Sequence, residues 1–129
     1  MITVVAALIE KDGKYLIAKR STGDTNVLGK WEFPGGKVEP NEDEFDAIER
    51  EIKEEFEMNI KAVKFITNNI CVYPQKTVDL RLYECNYISG EFNLHDHSDY
   101  NFVSAKELLN YDLAPADIPL AEYVKKLTK

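Results

Sequence analysis

Three glutamates at helical spacing are the residues of this sequence best suited to chemistry. Glu51, Glu54 and Glu55 occupy positions i, i+3 and i+4, so on an α-helix their carboxylates share one face. Exposed like-charge pairs cost only about 0.2–0.5 kcal/mol each, which also fits a solvated acidic helix. On a partly buried face, two like charges ~4 Å apart repel by about 4 kcal/mol at an effective dielectric near 20. Because hard divalent cations take such oxygen ligands, the spacing predicts either a solvated face or a metal site.

A glycine turn precedes these glutamates. Gly35 and Gly36 carry no side chains, so backbone carbonyl or amide groups there can approach an ion or a phosphate closely. Lys37 adds a point charge suited to phosphate. A Gly-Gly turn alone is weak evidence, because many turns use one. Beside the carboxylates, it favours a site for a cation and a phosphorylated ligand.

The glutamates lie on the segment with the strongest helix pattern. Its apolar stripe consists of Phe45, Ile48, Ile52 and Phe56. Asn41 followed by Glu44 predicts a capping box, so the expected helix runs from about 42 to about 57. The carboxylates flank the stripe and are therefore expected at the edge of the surface on which the helix packs.

The remaining elements alternate between strand pairs and helices. Asp12-Gly13 predicts a hairpin turn, and Trp31–Phe33 is a short extended piece stopped by Pro34-Gly35-Gly36. Further strands are expected at 3–9, 15–18, near 60–73 and 77–87, and at 99–103, with a loop at 21–30. Ser104 with Glu107 predicts a short helix, and Asp117 is a candidate cap for a last helix through Val124. This order indicates an α+β fold or a mixed-sheet sandwich, without Rossmann alternation.

The composition restricts the partners and the compartment. The chain has 129 residues, 44% of them apolar and 30% charged, with a net charge of −7. One domain spanning residues 1–129 is expected. The acidic balance argues against a nucleic-acid polymer or a membrane as the main partner, because both need basic patches. No protein partner is indicated, and without a signal-peptide or membrane-spanning pattern the expected compartment is the cytoplasm.

The segment from Gly36 to Met58 resembles the Nudix box, the signature of the Nudix hydrolases. The box is Gly, five residues, Glu, seven residues, Arg-Glu, an apolar residue, one residue, Glu-Glu, one residue, Gly and an apolar residue. The matching residues are Gly36, Glu42, Arg50, Glu51, Ile52, Glu54, Glu55 and Met58. Glu57 stands where the pattern has its second glycine.

Two further stretches extend the resemblance. Residues 31–37 (WEFPGGK) match the lead-in of the MutT-like branch, and residues 113–119 (LAPADIP) resemble a segment of the bacterial CTP pyrophosphohydrolases. Nearly the whole chain aligns in order and length. The resemblance implies the Nudix fold, a mixed β-sheet sandwich between helices, and a metal-dependent hydrolysis of a nucleoside diphosphate linked to another group.

The resemblance also implies the roles of individual residues. Glu51, Glu54, Glu55 and the Gly35 carbonyl would hold Mg²⁺ or Mn²⁺. Arg50, Glu51 and Glu54 would be the catalytic side chains, with Arg50 orienting a carboxylate and Glu51 taking a proton from water. Gly36 and Lys37 would contact the substrate at its phosphates, and Glu42 would play a supporting role. Asp96, His97 and Asp99 remain alternative candidates for the base.

Four more residues are candidates for binding the nucleotide. A carboxylate at Asp117 would accept from the exocyclic amine of cytosine, although Asp117 equally fits a helix cap. Phe33 is a candidate for stacking on the base or a core aromatic. Arg20 and Lys76 are candidates for holding phosphate or sugar, or are solvated surface charges.

The expected function is hydrolysis of a nucleoside triphosphate to the monophosphate and pyrophosphate, with preference for CTP, dCTP or a modified cytidine nucleotide. Two alternatives stay open: a diphosphatase for 8-oxo-dGTP or another oxidised purine triphosphate, and a nucleotide-binding module without catalysis. The departure at Glu57 carries a separate prediction. Left-handed backbone costs a non-glycine residue about 1 kcal/mol, so the helix is expected to end late, with Asn59 taking the turn.

Overall fold

The computed structural model describes residues 1–23, 27–90, 92–95 and 97–127. Its strands and helices are β1 (Ile2–Lys11), β2 (Lys14–Arg20), β3 (Trp31–Glu32), β4 (Gly35–Lys37), α1 (Glu44–Phe56), β5 (Met58–Tyr73), β6 (Lys76–Gly90), β7 (His97–Val103) and α2 (Ile118–Leu127). Short 3₁₀ turns at Leu108–Asn110 and Pro115–Asp117 precede α2.

β1 is the centre of a mixed sheet. It pairs in parallel with β6 and antiparallel with both β2 and β4. β5 pairs antiparallel with β6, β3 and β7 pair with β2, and the main path is β3-β2-β1-β6-β5. The parallel β1–β6 pair among antiparallel neighbours confirms the expected α+β fold with a mixed sheet.

A hydrophobic core lies on each face of the sheet. One core includes β1 residues such as Val5 and packs under α1, whose Ile48 and Ile52 are fully buried. The other includes Ala6 of β1 and packs under α2 through residues such as Leu120. Successive side chains of β1 point alternately into the two cores, so the sheet lies between the two helices as predicted. No helix among the described residues has the length and apolar content needed to cross a membrane.

The helix α1 begins later than predicted. Asp43, not Asn41, is its N-cap, and its carboxylate accepts hydrogen bonds from the backbone N–H groups of Phe45 and Asp46. Asn41 instead adopts a left-handed conformation with φ 65°. Both residue types cap helices well, so the sequence did not distinguish them. Phe45, predicted to join the apolar stripe, is 37% exposed.

The prediction for the end of α1 is wrong. Glu57 itself takes the left-handed conformation, with φ 54° and ψ 37°, and its N–H donates to the Lys53 carbonyl. Asn59 lies in β5, beside a register shift in its pairing with β6, and does not take a positive φ. The Glu57 carboxylate also lies 2.8 Å from Nε2 of His95. Because β5 begins at Met58, the chain has to turn at residue 57, the position where the Nudix box has its second glycine.

Other predictions are confirmed or corrected locally. The hairpin is confirmed, because Asp12 and Gly13 both have positive φ, as a two-residue turn of this kind requires. The glycine turn does not end the extended chain, since residues 35–37 form β4. Ser104 Oγ donates to the Glu107 carboxylate, but a turn and 3₁₀ residues follow instead of an α-helix. Residues 24–26 of the expected loop lie outside the described residues.

Candidate active site

A cavity of about 400 Å³ opens where β1, β4 and α1 meet, and we call it the acidic cavity. One group of lining residues comes from the glycine strand and the helix: Gly35, Gly36, Lys37, Glu51 and Glu55. A second group comprises Arg20, Glu32, Phe33 and Asp117. The fold thus brings together residues separated by almost the whole chain, and most of the predicted site residues are among them.

Arg50 contacts carboxylates of α1 and of the segment that precedes the helix. Its Nε lies 2.8 Å from a Glu42 oxygen, and its Nη1 lies 3.0 Å from Glu54 and 3.4 Å from Glu51. The hydrogen bond from Arg50 lowers the pKa of Glu42 to about 2, and in return Glu42 raises the pKa of Arg50. The guanidinium therefore offsets the repulsion between the Glu51 and Glu54 carboxylates of α1 and the Glu42 carboxylate, which precedes the helix.

Arg50 also ties the helix to the glycine strand. Its Nη2 donates to the carbonyl oxygen of Lys37 at 3.1 Å. Lys37 closes β4, so this bond fixes the distance between the helix face and the strand that lines the cavity. The expected orienting role of Arg50 is consistent with these contacts.

Glu51 lies directly over the glycine strand. A Cβ added to Gly36 would come within 2.3 Å of the Glu51 carboxyl carbon, and one added to Gly35 would lie 1.9 Å from the Val5 carbonyl oxygen. Both positions therefore require glycine for close approach. Burial raises the pKa of Glu51, against the opposing charge of Arg50. A carboxylate with a raised pKa is a better proton acceptor, as expected of a general base.

The three glutamates do not share one environment. Glu55 is 7% exposed and lines the acidic cavity with Glu51, whereas the Glu54 side chain is 59% exposed and faces Arg50. Within the described ranges, no three His, Cys, Asp or Glu side chains converge closely enough to hold a metal ion as they stand. The predicted three-carboxylate set is therefore only partly assembled on the cavity wall.

The donor chemistry of the acidic cavity fits a hard divalent cation. Glu51 and Glu55 supply carboxylate oxygens, and Gly35, whose carbonyl the resemblance implies as a further ligand, lines the same wall. Magnesium and manganese prefer such oxygen ligands, and Glu54 stands one helical turn from Glu51. Because Gly36 has no side chain, the Glu51 carboxylate can lie directly against the glycine strand.

Asp117 is the buried acid of the second group. It is 5% exposed, and its Oδ2 accepts a hydrogen bond of 2.9 Å from the backbone N–H of Phe33. Burial, reinforced by the nearby charge of Glu32, raises its pKa to about 8. Asp117 ends the 3₁₀ turn that leads directly into α2. Its hydrogen bond with the Phe33 N–H therefore joins the start of α2 to the segment that follows β3, and it does not cap the helix.

Phe33 and the two predicted cations have different surroundings. Phe33 is 3% exposed and belongs to the α2-side core, with part of its surface on the cavity wall. Arg20 is half-buried and lines the acidic cavity. Lys76 is exposed at the start of β6 and lines a neighbouring cavity of about 670 Å³, which also includes Arg20 and Tyr73. Lys76 is thus near the site without lining the acidic cavity.

Sequence reasoning missed Glu32 and misjudged His97. Glu32 lines both cavities, and its Oε2 lies 2.9 Å from Arg20 Nη1 and 2.9 Å from His97 Nε2. His97 is buried behind Glu32, and neither it nor exposed Asp99 lines the acidic cavity. Asp96 lies outside the described residues. The only sequence signal for Glu32 was its place in the MutT-like lead-in.

A family model decides the class of this chain: the NUDIX domain matches residues 1–125. The chain belongs to the Nudix family. The predicted family and the prediction of an enzyme of the Nudix hydrolase type are confirmed.

Named relatives share nearly the full length of this Nudix protein. It is 38% identical to the CTP pyrophosphohydrolase of Escherichia coli K12, over 95% of this chain and 90% of the relative. It is 33% identical to a putative 8-oxo-dGTP diphosphatase 2 of Mycobacterium tuberculosis, over 88% and 81% of the two chains. The MutT protein of Methanosarcina mazei superposes with a TM-score of 0.87 at 27% identity, covering 99% of this Nudix protein and 95% of that chain.

Proposed function

We propose that this protein hydrolyses nucleoside triphosphates to the monophosphate and pyrophosphate, using Mg²⁺ and preferring cytidine nucleotides. The observation that carries the proposal is the acidic cavity, in which Glu51, Glu55 and the glycine strand share one space with the buried acid Asp117. A triphosphate and a base can then be recognised together. The 38% identity to a CTP pyrophosphohydrolase supports the same substrate.

At the phosphates, each side chain has a distinct task. Glu51, Glu54, Glu55 and the Gly35 carbonyl would hold Mg²⁺, which when bound neutralises phosphate oxygens and lowers the pKa of water. The Glu51 carboxylate would take the proton of the attacking water. Arg50 fixes that carboxylate, and Lys37 places a positive charge beside the phosphate oxygens.

At the base, the protonation of Asp117 decides which partner fits. With a pKa of about 8, the carboxyl group of the free protein is neutral at pH 7 and offers one O–H donor besides an acceptor. The pairing edge of cytosine has a matching pattern, an amine that donates and a ring nitrogen that accepts. Guanine presents two N–H donors, which an ionised carboxylate would fit better. The neutral acid therefore supports cytosine more directly than the acceptor-only carboxylate expected from the sequence.

The test is a set of initial rates for CTP, dCTP, GTP and 8-oxo-dGTP at pH 7 with Mg²⁺, measured by pyrophosphate release. CTP or dCTP should have the highest kcat/KM, and Glu51→Gln should remove at least about 99% of turnover, as loss of a general base does. A highest kcat/KM for 8-oxo-dGTP would favour the oxidised-purine alternative, which the 33% identical relative supports. Binding of all four without turnover would favour the non-catalytic module.

A further inference from the structure

A buried histidine lies behind the nucleotide-binding residues without lining the acidic cavity. The side chain of His97 has 0% exposure, and its Nε2 lies 2.9 Å from Glu32 Oε2. The same Glu32 oxygen lies 2.9 Å from Arg20 Nη1. Glu32 and Arg20 line both the acidic cavity and its neighbour, so the row His97–Glu32–Arg20 runs from the interior to the substrate surface.

A β-bulge places His97 in this row. In the β2–β7 pairing Lys19 lies opposite Asp99, but Arg20 lies opposite His97 and Ser98 is skipped. Regular alternation would put His97 on the same face as Asp99. The bulge turns it instead to the α1 side, where its ring stacks on Phe56 at a centroid distance of 5.2 Å. Bulges near binding sites commonly re-aim one side chain in this way.

The hydrogen bonds of His97 indicate a fixed donor. Its Nδ1 is buried with no hydrogen-bond partner among the described residues. A proton on Nδ1 would leave a buried donor unsatisfied, whereas a proton on Nε2 has Glu32 as its acceptor, so the geometry favours a form with the proton on Nε2. In that form Nε2–H donates to Glu32, and the stacking on Phe56 holds the ring in the direction of that bond.

We propose that His97 is a positioning residue for nucleotide binding: by donating to Glu32 it fixes the carboxylate that orients Arg20 at the cavity wall. The inference rests on the proposed function, because it takes Arg20, a predicted ligand of phosphate or sugar that lines the acidic cavity, as a nucleotide contact. Glu32 without this donor can rotate, and Arg20, which also donates through Nε to the Thr22 carbonyl, then loses the contact that directs its Nη1 end along the cavity wall. The chemistry at Glu51 lies elsewhere on the wall and is unaffected.

The experiment compares His97→Gln, His97→Asn and His97→Phe by steady-state kinetics with CTP and Mg²⁺. Gln can place an amide N–H near the Nε2 position, whereas Asn is too short and Phe keeps only the stacking. For Phe and Asn we expect KM to rise about tenfold or more with kcat within about threefold, the size expected for a hydrogen bond to a charged group. Gln should restore KM to within about threefold of the wild type.

A double-mutant cycle separates positioning from general structural damage. In the Glu32→Ala background, His97→Phe should change KM less than about twofold, because its acceptor is already gone. The same tenfold rise in both backgrounds, an unchanged KM in His97→Phe, or equal losses for Gln and Asn would each overturn the proposal. If His97→Phe does not fold, the Gln–Asn comparison decides alone. His95→Phe, at the exposed histidine paired with Glu57, is the matched control and should leave KM unchanged.

Failure of the proposed function can be told apart from failure of this inference. If the wild type hydrolyses no triphosphate, the proposed function falls. The same variants are then compared by calorimetry with the CTP analogue that carries a methylene bridge between the α- and β-phosphorus. A tenfold weaker Kd for Phe and Asn, with Gln near the wild type, would support the positioning role, and equal Kd values would refute it.

Discussion

Replacing Asp117 by asparagine should stabilise the protein, and increasingly so as the pH rises. The asparagine oxygen can still accept the hydrogen bond from the Phe33 N–H, and the side chain keeps its size. It carries no ionisable proton. The variant therefore removes the free-energy cost of a buried acid without opening a cavity.

The magnitude follows from the pKa of Asp117, which burial raises from 3.8 to about 8. Between these values the unfolded chain has lost the proton that the folded protein keeps, so unfolding releases a proton and wild-type stability falls as the pH rises. The slope is about 1.4 kcal/mol per pH unit, which amounts to about 4 kcal/mol at pH 7 as an upper bound. This decrease in the free energy of unfolding of the wild type is absent below pH 3.8 and no longer grows above pH 8.

Urea unfolding of both proteins at pH 5, 6, 7 and 8 measures this difference. The free energy of unfolding of Asp117→Asn should exceed that of the wild type by an amount that grows by at least about 2 kcal/mol between pH 5 and pH 7. Glu122→Gln, on the exposed side of α2, is the control and should stay within about 0.5 kcal/mol of the wild type. A difference that does not change with pH, or that grows toward acid, would refute the assignment of a buried, protonated Asp117.

Four further outcomes are expected. Glu54→Gln should lower kcat at least about a hundredfold with an unchanged Tm, because its side chain is 59% exposed; equal turnover would remove it from the site. Gly36→Ala should displace the Glu51 carboxylate and lower kcat/KM about tenfold or more, and wild-type kinetics would contradict the close approach. Glu57→Gly should raise the free energy of unfolding by about 1 kcal/mol in urea, whereas a loss would mean that its contact with His95 outweighs backbone strain. The preference of the wild type for CTP over GTP should fall as the pH passes 8 but stay constant in Asp117→Asn; a parallel fall in both would exclude Asp117 as its cause.

Local patterns sufficed for most of the fold and part of the site. The Asp12-Gly13 hairpin, the helix that carries Glu51 and the long β5–β6 pair each depend on neighbours in sequence, which periodicity and turn chemistry report. The errors at α1 have a different origin. Asn41 and Asp43 are equally good caps, and the strand that starts at Met58 left Glu57 as the residue that had to turn.

The part of the site that could not be predicted depends on tertiary contacts. His97 faces Glu32 only because a bulge skips Ser98, and no sequence pattern marks that slip. Glu54 was expected beside Glu51 in the metal set, and its pairing with Arg50 is an i, i+4 contact that helical spacing could have indicated. The burial of Glu55 on the cavity wall, by contrast, depends on the packing of the helix against the sheet. The protonation of Asp117 is likewise set by burial and by the charge of Glu32, which raise its pKa against the lowering effect of the hydrogen bond from Phe33.

The acidic cavity accommodates its carboxyl groups in two different ways, and the difference matches the two tasks that we propose for the site. Glu51 keeps the counter-charge of Arg50 at 3.4 Å, so it can stay ionised and exchange partners when a cation arrives. Asp117 is deeper, and there protonation costs less than ionisation, so it becomes a neutral group that donates as well as accepts. In the proposed function, a cation would therefore bind on the side that keeps its charge, and an uncharged base on the side that has lost it. Exchanging the two environments is expected to remove both proposed tasks, even though the same carboxyl groups would remain.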